Sequence, residues 1–142
     1  MSEKYKIIVG LGSCGIAAGG LKVVDAIKEN IKLTNCEIEL AETGCMGMCY
    51  KEVLVEIKDE NGNSYIYGEV NPGKVNKIFQ SHINNGQPVT DWVVKSDVQS
   101  TKEDTFFSKQ ERIVLRRCGK MNPESIDEAM NLGAYKAIEK AL

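Results

Sequence analysis

Apolar side chains follow two spacings along the first half of the chain, and the changes between them predict its elements. Residues 5–9 are a short β-branched run that ends at a glycine, which predicts a strand. Past residue 16, apolar positions recur every three or four residues, as in an amphipathic helix: Leu21, Val24, Ile27 and Ile31. Residues 37–42 predict a second strand, which we expect to pair with the first in parallel.

Beyond residue 50 the pattern indicates a hairpin and another helix. Residues 53–57 and 64–67 predict two strands, and the Asn61-Gly62 pair between them supplies the positive φ of a tight reversal. Asn71 is expected to cap a helix that begins at Pro72 and buries this stripe: Val75, Ile78, Phe79 and Ile83. Residues 1–94 therefore predict an α/β domain with the order β-α-β-β-β-α, a mixed sheet and thioredoxin-like proportions.

The remainder predicts a linker and an appendage. Residues 95–104 are polar, and we extend this linker to residue 110. Phe106 and Phe107 are expected to anchor it on some surface. The appendage, residues 111–142, has about thirty residues, too few for a core of its own. We therefore expect it to be the beginning of something larger, and the sequence to be part of a longer one.

Within the appendage, residues 112–116 predict a short strand or extended arm. Asn122 is expected to cap a helix whose first position is Pro123, with acidic residues in its first turn. A second helical piece is predicted over residues 134–142. The appendage is therefore predicted to be short and mainly helical.

Composition narrows the class of protein. The 142 residues are 42% hydrophobic and 27% charged, with a net charge of −2, as in a soluble globular protein. Acids and bases are interspersed, so we expect neither a nucleic-acid partner nor membrane insertion. The N-terminus has no apolar core of a signal peptide. We therefore expect a cytoplasmic protein, whose thiols stay reduced.

Candidate chemistry is concentrated in two glycine-containing loops. Cys14 lies in residues 10–15 (GLGSCG), and Cys45 and Cys49 lie in residues 43–49 (TGCMGMC). Each loop follows a predicted strand, so parallel pairing brings both to the same edge of the sheet. Five cysteines in a reducing compartment favour metal ligation or redox chemistry over disulfides. Cysteine thiolates hold iron–sulfur clusters, usually four to a cluster.

Several alternatives stay open. The thiols could be buried small hydrophobes, or could bind zinc with an unidentified fourth ligand. A thiol-redox motif is disfavoured, because the spacing is one residue longer than Cys-x-x-Cys and the loop leads into a strand. His82, the only histidine, is expected to be solvated on a helix surface. Met46 and Met48 either cover the cysteine site or pack in the core.

The two remaining cysteines are not expected to be ligands. Cys36 begins a strand, so it should lie near the opposite end of the sheet from Cys45. We regard it as a structural or surface thiol. Cys118 lies beyond the linker, where it could serve in a partner contact.

Three stretches carry a family resemblance: residues 9–19 (VGLGSCGIAAG), 43–49 (TGCMGMC) and 67–72 (YGEVNP). Together they resemble the thioredoxin-like [2Fe-2S] ferredoxin domain. That domain occurs as a small ferredoxin-like subunit and as an N-terminal extension in NAD(P)-linked hydrogenases.

The appendage carries a second resemblance, in residues 112–119 (RIVLRRCG), 123–128 (PESIDE) and 133–137 (GAYKA). These are similar to the first residues of the flavin-binding, NADH-oxidising subunit related to that of respiratory complex I. The order of the two parts resembles the beta subunit of multimeric, often electron-bifurcating, hydrogenases. The glycine-rich flavin- and NADH-binding segment is absent, so this chain alone is not expected to oxidise NADH.

The resemblance implies a [2Fe-2S] cluster with Cys14, Cys45 and Cys49 as metal ligands. Relatives with a complete site carry a Cys-x4-Cys pair in the first loop, and its first position falls here at Val9, which cannot ligate. Ser13, an exogenous thiol or water could provide the fourth ligand.

The prediction is an electron-transfer module, without catalytic residues, among other subunits of a hydrogenase or NADH dehydrogenase. Its alternative is a cluster-free or zinc-binding module for docking and assembly.

Overall fold

A computed structural model describes residues 4–98 and 109–142, which excludes Phe106, Phe107 and most of the predicted linker. Five strands in this part of the chain form one sheet, in the order β2-β1-β3-β4-β5. They are β1 (Lys4–Gly10), β2 (Glu37–Thr43), β3 (Val55–Lys58), β4 (Ser64–Tyr67) and β5 (Val93–Ser96). The helices are α1 (Ser13–Ala17), α2 (Gly20–Ile31), α3 (Pro72–Ile78), α4 (Ile126–Asn131) and α5 (Lys136–Ala141).

The predicted mixed sheet is confirmed. β1 pairs with β2 in parallel, from Lys4 opposite Glu37 to Gly10 opposite Thr43. The pairs β1–β3, β3–β4 and β4–β5 are antiparallel. The hairpin between β3 and β4 also forms where it was predicted, with Gly62 at a φ of 83°. The parallel pair therefore ends with both cysteine loops at one edge of the sheet.

One face of the sheet packs against α2 and α3. Alternate residues of β1 point to this face, because side chains alternate along a strand. They join a buried cluster that includes Ile7, Val9, Val24, Ile57 and Ile78. Burying such side chains contributes roughly 1.5–3 kcal/mol each.

The predicted stripe of the first helix is partly wrong. Gly19, with a φ of 97°, interrupts the helix, and α2 starts afresh at Gly20. The new helix buries Val23, Val24 and Ile27, whereas Leu21 in its first turn is 56% exposed.

The other face of the sheet has a smaller apolar cluster. Ile8 and Leu54 lie there with Met46 and Met48, which are only 5% and 2% exposed. The loop between β2 and β3 thus folds back over the sheet and inserts both methionines. Of the two roles expected for these methionines, packing on the sheet is the one the structure describes.

Two features at the end of the domain differ from the prediction. β5 was not predicted, and it includes Lys95 and Ser96, which had been assigned to the linker. Lys95 pairs with Ile66 of β4, so a partner strand makes this polar stretch extended. The prediction of a short strand or extended arm at residues 112–116 is wrong: this stretch forms a bend and turns. Val114 is 91% exposed, and a strand needs neighbouring strands or packing to be stable.

The start of the penultimate helix is also displaced. Ser125, not Asn122, is its N-cap, and its hydroxyl accepts a hydrogen bond from the Glu128 N–H at 3.2 Å. The Asn122 side chain instead accepts the Glu124 N–H at 2.9 Å, which forms a turn before the helix. The final helix, α5, lies within the predicted range.

The expectation that His82 is solvated is wrong. It is 3% exposed, and its Nδ1 lies 2.9 Å from the Tyr67 hydroxyl. The ring of Tyr65 contacts it edge-on at 4.8 Å between centroids. The π-helical turn Phe79–Ile83 continues α3, and its extra residue changes the face on which His82 lies. Burial lowers the pKa of His82 to about 4, so the folded state holds it neutral.

This burial predicts acid sensitivity. Between pH 6.5 and about 4 the unfolded chain binds a proton at His82 that the folded chain does not. The free energy of unfolding should therefore fall as the pH falls through this window, by on the order of 2 kcal/mol more than in His82→Gln. Urea unfolding at several pH values measures it.

The carboxyl groups titrate in both proteins, so the difference between the two stability curves isolates His82. Glu52, whose pKa burial raises, acts in the opposite direction and is also common to both. Parallel curves for the two proteins between pH 7 and 4 would contradict the assignment.

Candidate metal centre

The two cysteine loops contact each other at the end of the parallel strand pair. The Leu11 N–H donates a hydrogen bond to the Thr43 carbonyl at 2.7 Å, which continues the pairing one residue past the strands. Next along the first loop, Gly12 lies against the backbone of Cys45. A Cβ atom on Gly12 would lie 3.0 Å from the Cys45 nitrogen and 3.2 Å from its Cα. Only a glycine permits this approach without displacing one loop.

Cys45 and Cys49 form a close pair of thiols. Their sulfur atoms lie 3.6 Å apart, and both residues are exposed and free. A disulfide would need about 2.05 Å, so the pair is two separate sulfurs. The alternative that these two thiols are buried small hydrophobes is therefore wrong. Cys49 begins a single 3-10 turn, Cys49–Lys51, which directs its side chain back towards Cys45.

The spacing of this pair fits two ligands of one tetrahedral metal atom. Metal–sulfur bonds of about 2.3 Å at a tetrahedral angle separate the two sulfurs by about 3.8 Å. The observed 3.6 Å is close to that value. Tetrahedral sulfur sites hold zinc or the iron of a cluster, so the donor set fits both the predicted cluster and its zinc alternative.

Cys14 lies in α1, on the loop that carries Gly12, and is exposed. The structure brings its loop to the cysteine pair without gathering a complete set of ligands. Within residues 4–98 and 109–142, no group of three or more histidine, cysteine or acidic side chains is placed to hold a metal ion. The position expected for a further cysteine is occupied by Val9, which is buried in the core of β1.

Hydrogen bonding and partial burial set the electrostatics of the pair. The Gly47 N–H donates to the Cys45 sulfur at 3.3 Å. Partial desolvation raises the pKa of the Cys45 thiol, the Gly47 N–H opposes the rise, and the neighbouring Cys49 and Glu52 add to it. Metal binding needs the thiolate form, so a metal must displace the proton that the free thiol retains.

Glu52 was missed by the sequence analysis. Its Oε2 accepts the Leu54 N–H at 3.0 Å and lies 3.2 Å from where a Cβ atom of Gly15 would be. The carboxyl group therefore lies beside the first cysteine loop, although Glu52 follows the second loop in the sequence. Burial raises its pKa above the ordinary value for glutamate. The sequence gives no sign of this placement, because it depends on how the two cysteine loops meet in the folded chain.

The C-terminal segment lies against the second cysteine loop. The Thr43 hydroxyl donates to the Met121 carbonyl at 2.8 Å, and Arg112 donates to the Met46 carbonyl at 3.2 Å. Cys118 is half-buried and lines a groove of about 180 Å³ that also contacts Met46 and Arg112. These contacts join residues about 65 to 80 positions apart, and nothing in the local sequence indicates them.

Cys36 lies where it was expected, before the first residue of β2, whereas Cys45 follows the end of that strand. Its thiol is half-buried and lies 3.7 Å from the Ile83 carbonyl. It is therefore a packing residue beside the π-helical turn. Because Cys36 and the candidate centre lie at opposite ends of β2, Cys36 is a useful control position.

Comparisons with known proteins agree with this arrangement of strands and loops. No family model matches the chain. The NADP-reducing hydrogenase subunit HndB of Solidesulfovibrio fructosivorans is 29% identical over 87 residues, which cover 61% of this chain and 69% of that protein.

The solved structures establish the class of fold. The wild-type thioredoxin-like [2Fe-2S] ferredoxin of Aquifex aeolicus superposes with a TM-score of 0.59 and 24% identity, over 66% of this chain and 99% of that one. A second structure of an A. aeolicus thioredoxin-like [2Fe-2S] ferredoxin superposes with a TM-score of 0.61 and 22% identity, over 68% of this chain and 94% of that one. The chain has a thioredoxin-like fold, as its sequence predicted, and is similar to a hydrogenase subunit.

A helix that crosses a bilayer needs about 20 consecutive, mainly apolar residues. Within the described ranges, no helix is long and apolar enough to cross a membrane.

The contact between the loops predicts the effect of Gly12→Ala. The new methyl group would meet the Cys45 backbone, which cannot move as a side chain can, so the loops must separate. Overpacking of this kind costs about 1–3 kcal/mol. We expect lower thermal stability and a lower metal content after anaerobic reconstitution with iron and sulfide.

Gly44→Ala is the matched control, because its methyl group would meet only the Pro123 side chain at 3.5 and 3.8 Å. It lies in the second cysteine loop, so it tests whether any added methyl group there has the same effect. Equal losses in the two variants would contradict a specific role for the Gly12 contact.

Proposed function

We propose that this chain is an electron-transfer module that binds one [2Fe-2S] cluster through Cys14, Cys45, Cys49 and a further ligand. It works within a multisubunit NAD(P)-linked hydrogenase or NADH dehydrogenase. The observation that carries the proposal is the pair of exposed sulfurs 3.6 Å apart, at the edge of the sheet that also presents the Cys14 loop.

The comparisons support the same proposal. Solved structures with this fold include thioredoxin-like [2Fe-2S] ferredoxins, and the protein of similar sequence is a hydrogenase subunit. All five cysteines are free, which fits a reducing compartment such as the cytoplasm. The partners we propose are the other subunits of the redox complex.

When bound, a [2Fe-2S] cluster exchanges single electrons. The chain supplies the surroundings in which this exchange occurs. Cys45 and Cys49 present two sulfurs to one metal atom, and the Gly47 N–H donates to the first of them. Met46 and Met48 anchor the loop on the sheet, so the sulfurs are held on a rigid support. Ligand hydrogen bonds and limited solvent access are the protein's means of setting a reduction potential.

The second candidate is a cluster-free or zinc-binding module for docking and assembly. It is favoured by the absence of a third ligand beside the pair, among the residues that the structure describes. In that case the thioredoxin-like fold provides an assembly surface, and the thiols stay reduced or bind zinc.

Metal analysis separates the two. The chain is purified anaerobically, and iron, acid-labile sulfide and zinc are quantified with visible and electron-paramagnetic-resonance spectra before and after dithionite reduction. We expect about two irons and two sulfides per chain, and a paramagnetic signal only after one-electron reduction. Cys45→Ser and Cys49→Ser should lose most of the iron and the colour, and Cys14→Ser should lose iron as well.

Cys36→Ser is the control and should keep the iron content of the wild type. We expect the variants to lose metal without unfolding, because all three candidate ligands are exposed and do not pack in the core. A colourless chain that cannot be reconstituted would eliminate the carrier. Zinc that is lost in Cys45→Ser would then support the zinc-binding module.

We also propose that residues 111–142 are the start of a flavoprotein related to the NADH-oxidising subunit of complex I. This rests on the sequence resemblance, together with exposed apolar side chains such as Ile113, Val114 and Ile138, which suit burial against a larger domain.

Electron transfer tests this proposal. The cluster-loaded chain is mixed anaerobically with an NADH-oxidising flavoprotein of this class, and bleaching of the visible spectrum is followed after NADH is added. We expect bleaching that requires the flavoprotein, and slower bleaching when Val114 and Ile138 are changed to serine. Equal rates of bleaching in the wild type and in the variant with serine at these two positions would contradict the assignment.

A further inference from the structure

The outer side of the second cysteine loop is covered by residues 109–123, which we call the cover segment. Met121 accepts the Thr43 hydroxyl, Pro123 lies beside Gly44, and Gly119 lies beside Met46. A Cβ atom on Gly44 would lie 3.5 Å from the Pro123 Cγ, and one on Gly119 would lie 3.4 Å from the Met46 Cγ. The cover segment thus follows the loop along most of its length and leaves the two sulfurs exposed.

Arg112 makes the contact of greatest electrostatic consequence. Its Nη1 donates to the Met46 carbonyl at 3.2 Å, and its Nη2 lies 3.0 Å from where a Cβ atom of Gly47 would be. Two features favour glycine at position 47. Its φ of 90° is one that other residues rarely adopt, and a side chain there would meet the Arg112 guanidinium group. Arginine is always protonated, so a permanent positive charge lies on the loop between the two cysteines.

The Met46 carbonyl and the Gly47 N–H belong to the same peptide group. Arg112 donates to the oxygen of this peptide group. The N–H of the same peptide group donates to the Cys45 sulfur at 3.3 Å. Hydrogen bonds in series polarise one another, so donation at the carbonyl makes the N–H a stronger donor. The guanidinium charge therefore reaches the Cys45 sulfur both through space and through one amide.

We propose that Arg112 is a positioning residue that raises the reduction potential at this centre by acting through the Met46–Gly47 peptide. The inference rests on the proposed function. One electron, supplied by an external one-electron reductant, adds one negative charge to the centre, and no bond forms or breaks. A fixed positive charge and a stronger N–H donor both stabilise the more negative state.

Thermodynamic linkage extends the proposal to the cover segment. If docking of this segment favours the reduced state, reduction must tighten its docking by the same factor. The segment leads directly into α4 and α5, so the redox state of the loop is coupled to the placement of the chain that follows. Arg112 is the charged group that carries this coupling.

The test compares the wild type with Arg112→Gln, Arg112→Lys and Arg116→Gln. Reduction potentials are measured by dithionite titration monitored in the visible and by electron paramagnetic resonance, on samples of equal iron content. We expect a more negative potential in Arg112→Gln and a partial return in Arg112→Lys, which restores the charge without the planar fork. Arg116 is exposed in the same segment, and its replacement by glutamine removes one charge as well, so it should leave the potential near the wild type.

Hydrogen exchange of residues 43–49 provides the second measurement, in the oxidised and the reduced protein. Reduction should slow exchange in the wild type and have a smaller effect in Arg112→Gln. Equal potentials for wild type and Arg112→Gln, or equal shifts in Arg112→Gln and Arg116→Gln, would overturn the inference and leave the carrier intact. Faster exchange in Arg112→Gln without a change in potential would assign Arg112 a structural role only. A wild-type chain that binds no cluster would overturn the proposed function itself and the tuning role with it.

Discussion

The parallel pairing of β1 with β2 is the constraint on which the candidate centre depends. Each strand ends where the other does, with Gly10 opposite Thr43, and the Leu11 N–H adds one more hydrogen bond beyond the pair. A slip in this register would carry one loop past the other and turn the buried side chains of β1 to the opposite face. The hydrophobic face that packs on α2 therefore sets the register, and the register sets which backbone atoms of the two cysteine loops meet.

The elements that could be predicted from the sequence are those whose signals are local. The strands of the hairpin, the helix capped by Asn71 and the pairing of β1 with β2 follow from spacing, turn residues and caps, and the structure has all of them. β5 and the burial of His82 were beyond such reasoning. Lys95 is extended because β4 offers it a partner, and His82 is turned inward by one π-helical turn, and neither has a signature in a short window.

The site divides in the same way. Glycines and cysteines at close spacing identified the loop of Cys45 and Cys49, and the structure brings those two sulfurs to within reach of one metal atom. Glu52, Thr43 and Arg112 were missed, because their roles depend on contacts between loops that the chain brings together only after folding. The family resemblance could not supply these roles either, since it transfers candidate ligand positions and says nothing of the contacts between one loop and another.

The geometry of the second cysteine loop also bears on which of the two functions it serves. A docking module needs only a stable surface, and an exposed pair of free thiols is then a site of oxidation without benefit. Three features hold this pair in place. Gly12 packs against the Cys45 backbone, and Gly47, with its left-handed φ, donates its N–H to the Cys45 sulfur. Two buried methionines attach the loop to the sheet. Each restricts the positions of the sulfur atoms more than that of the outer surface. Such restriction is useful where the sulfurs must hold a metal atom through a change of charge, because small displacements of the ligands keep the cost of reorganisation low. The local architecture therefore favours a module that holds a metal through Cys45 and Cys49 over a metal-free docking module.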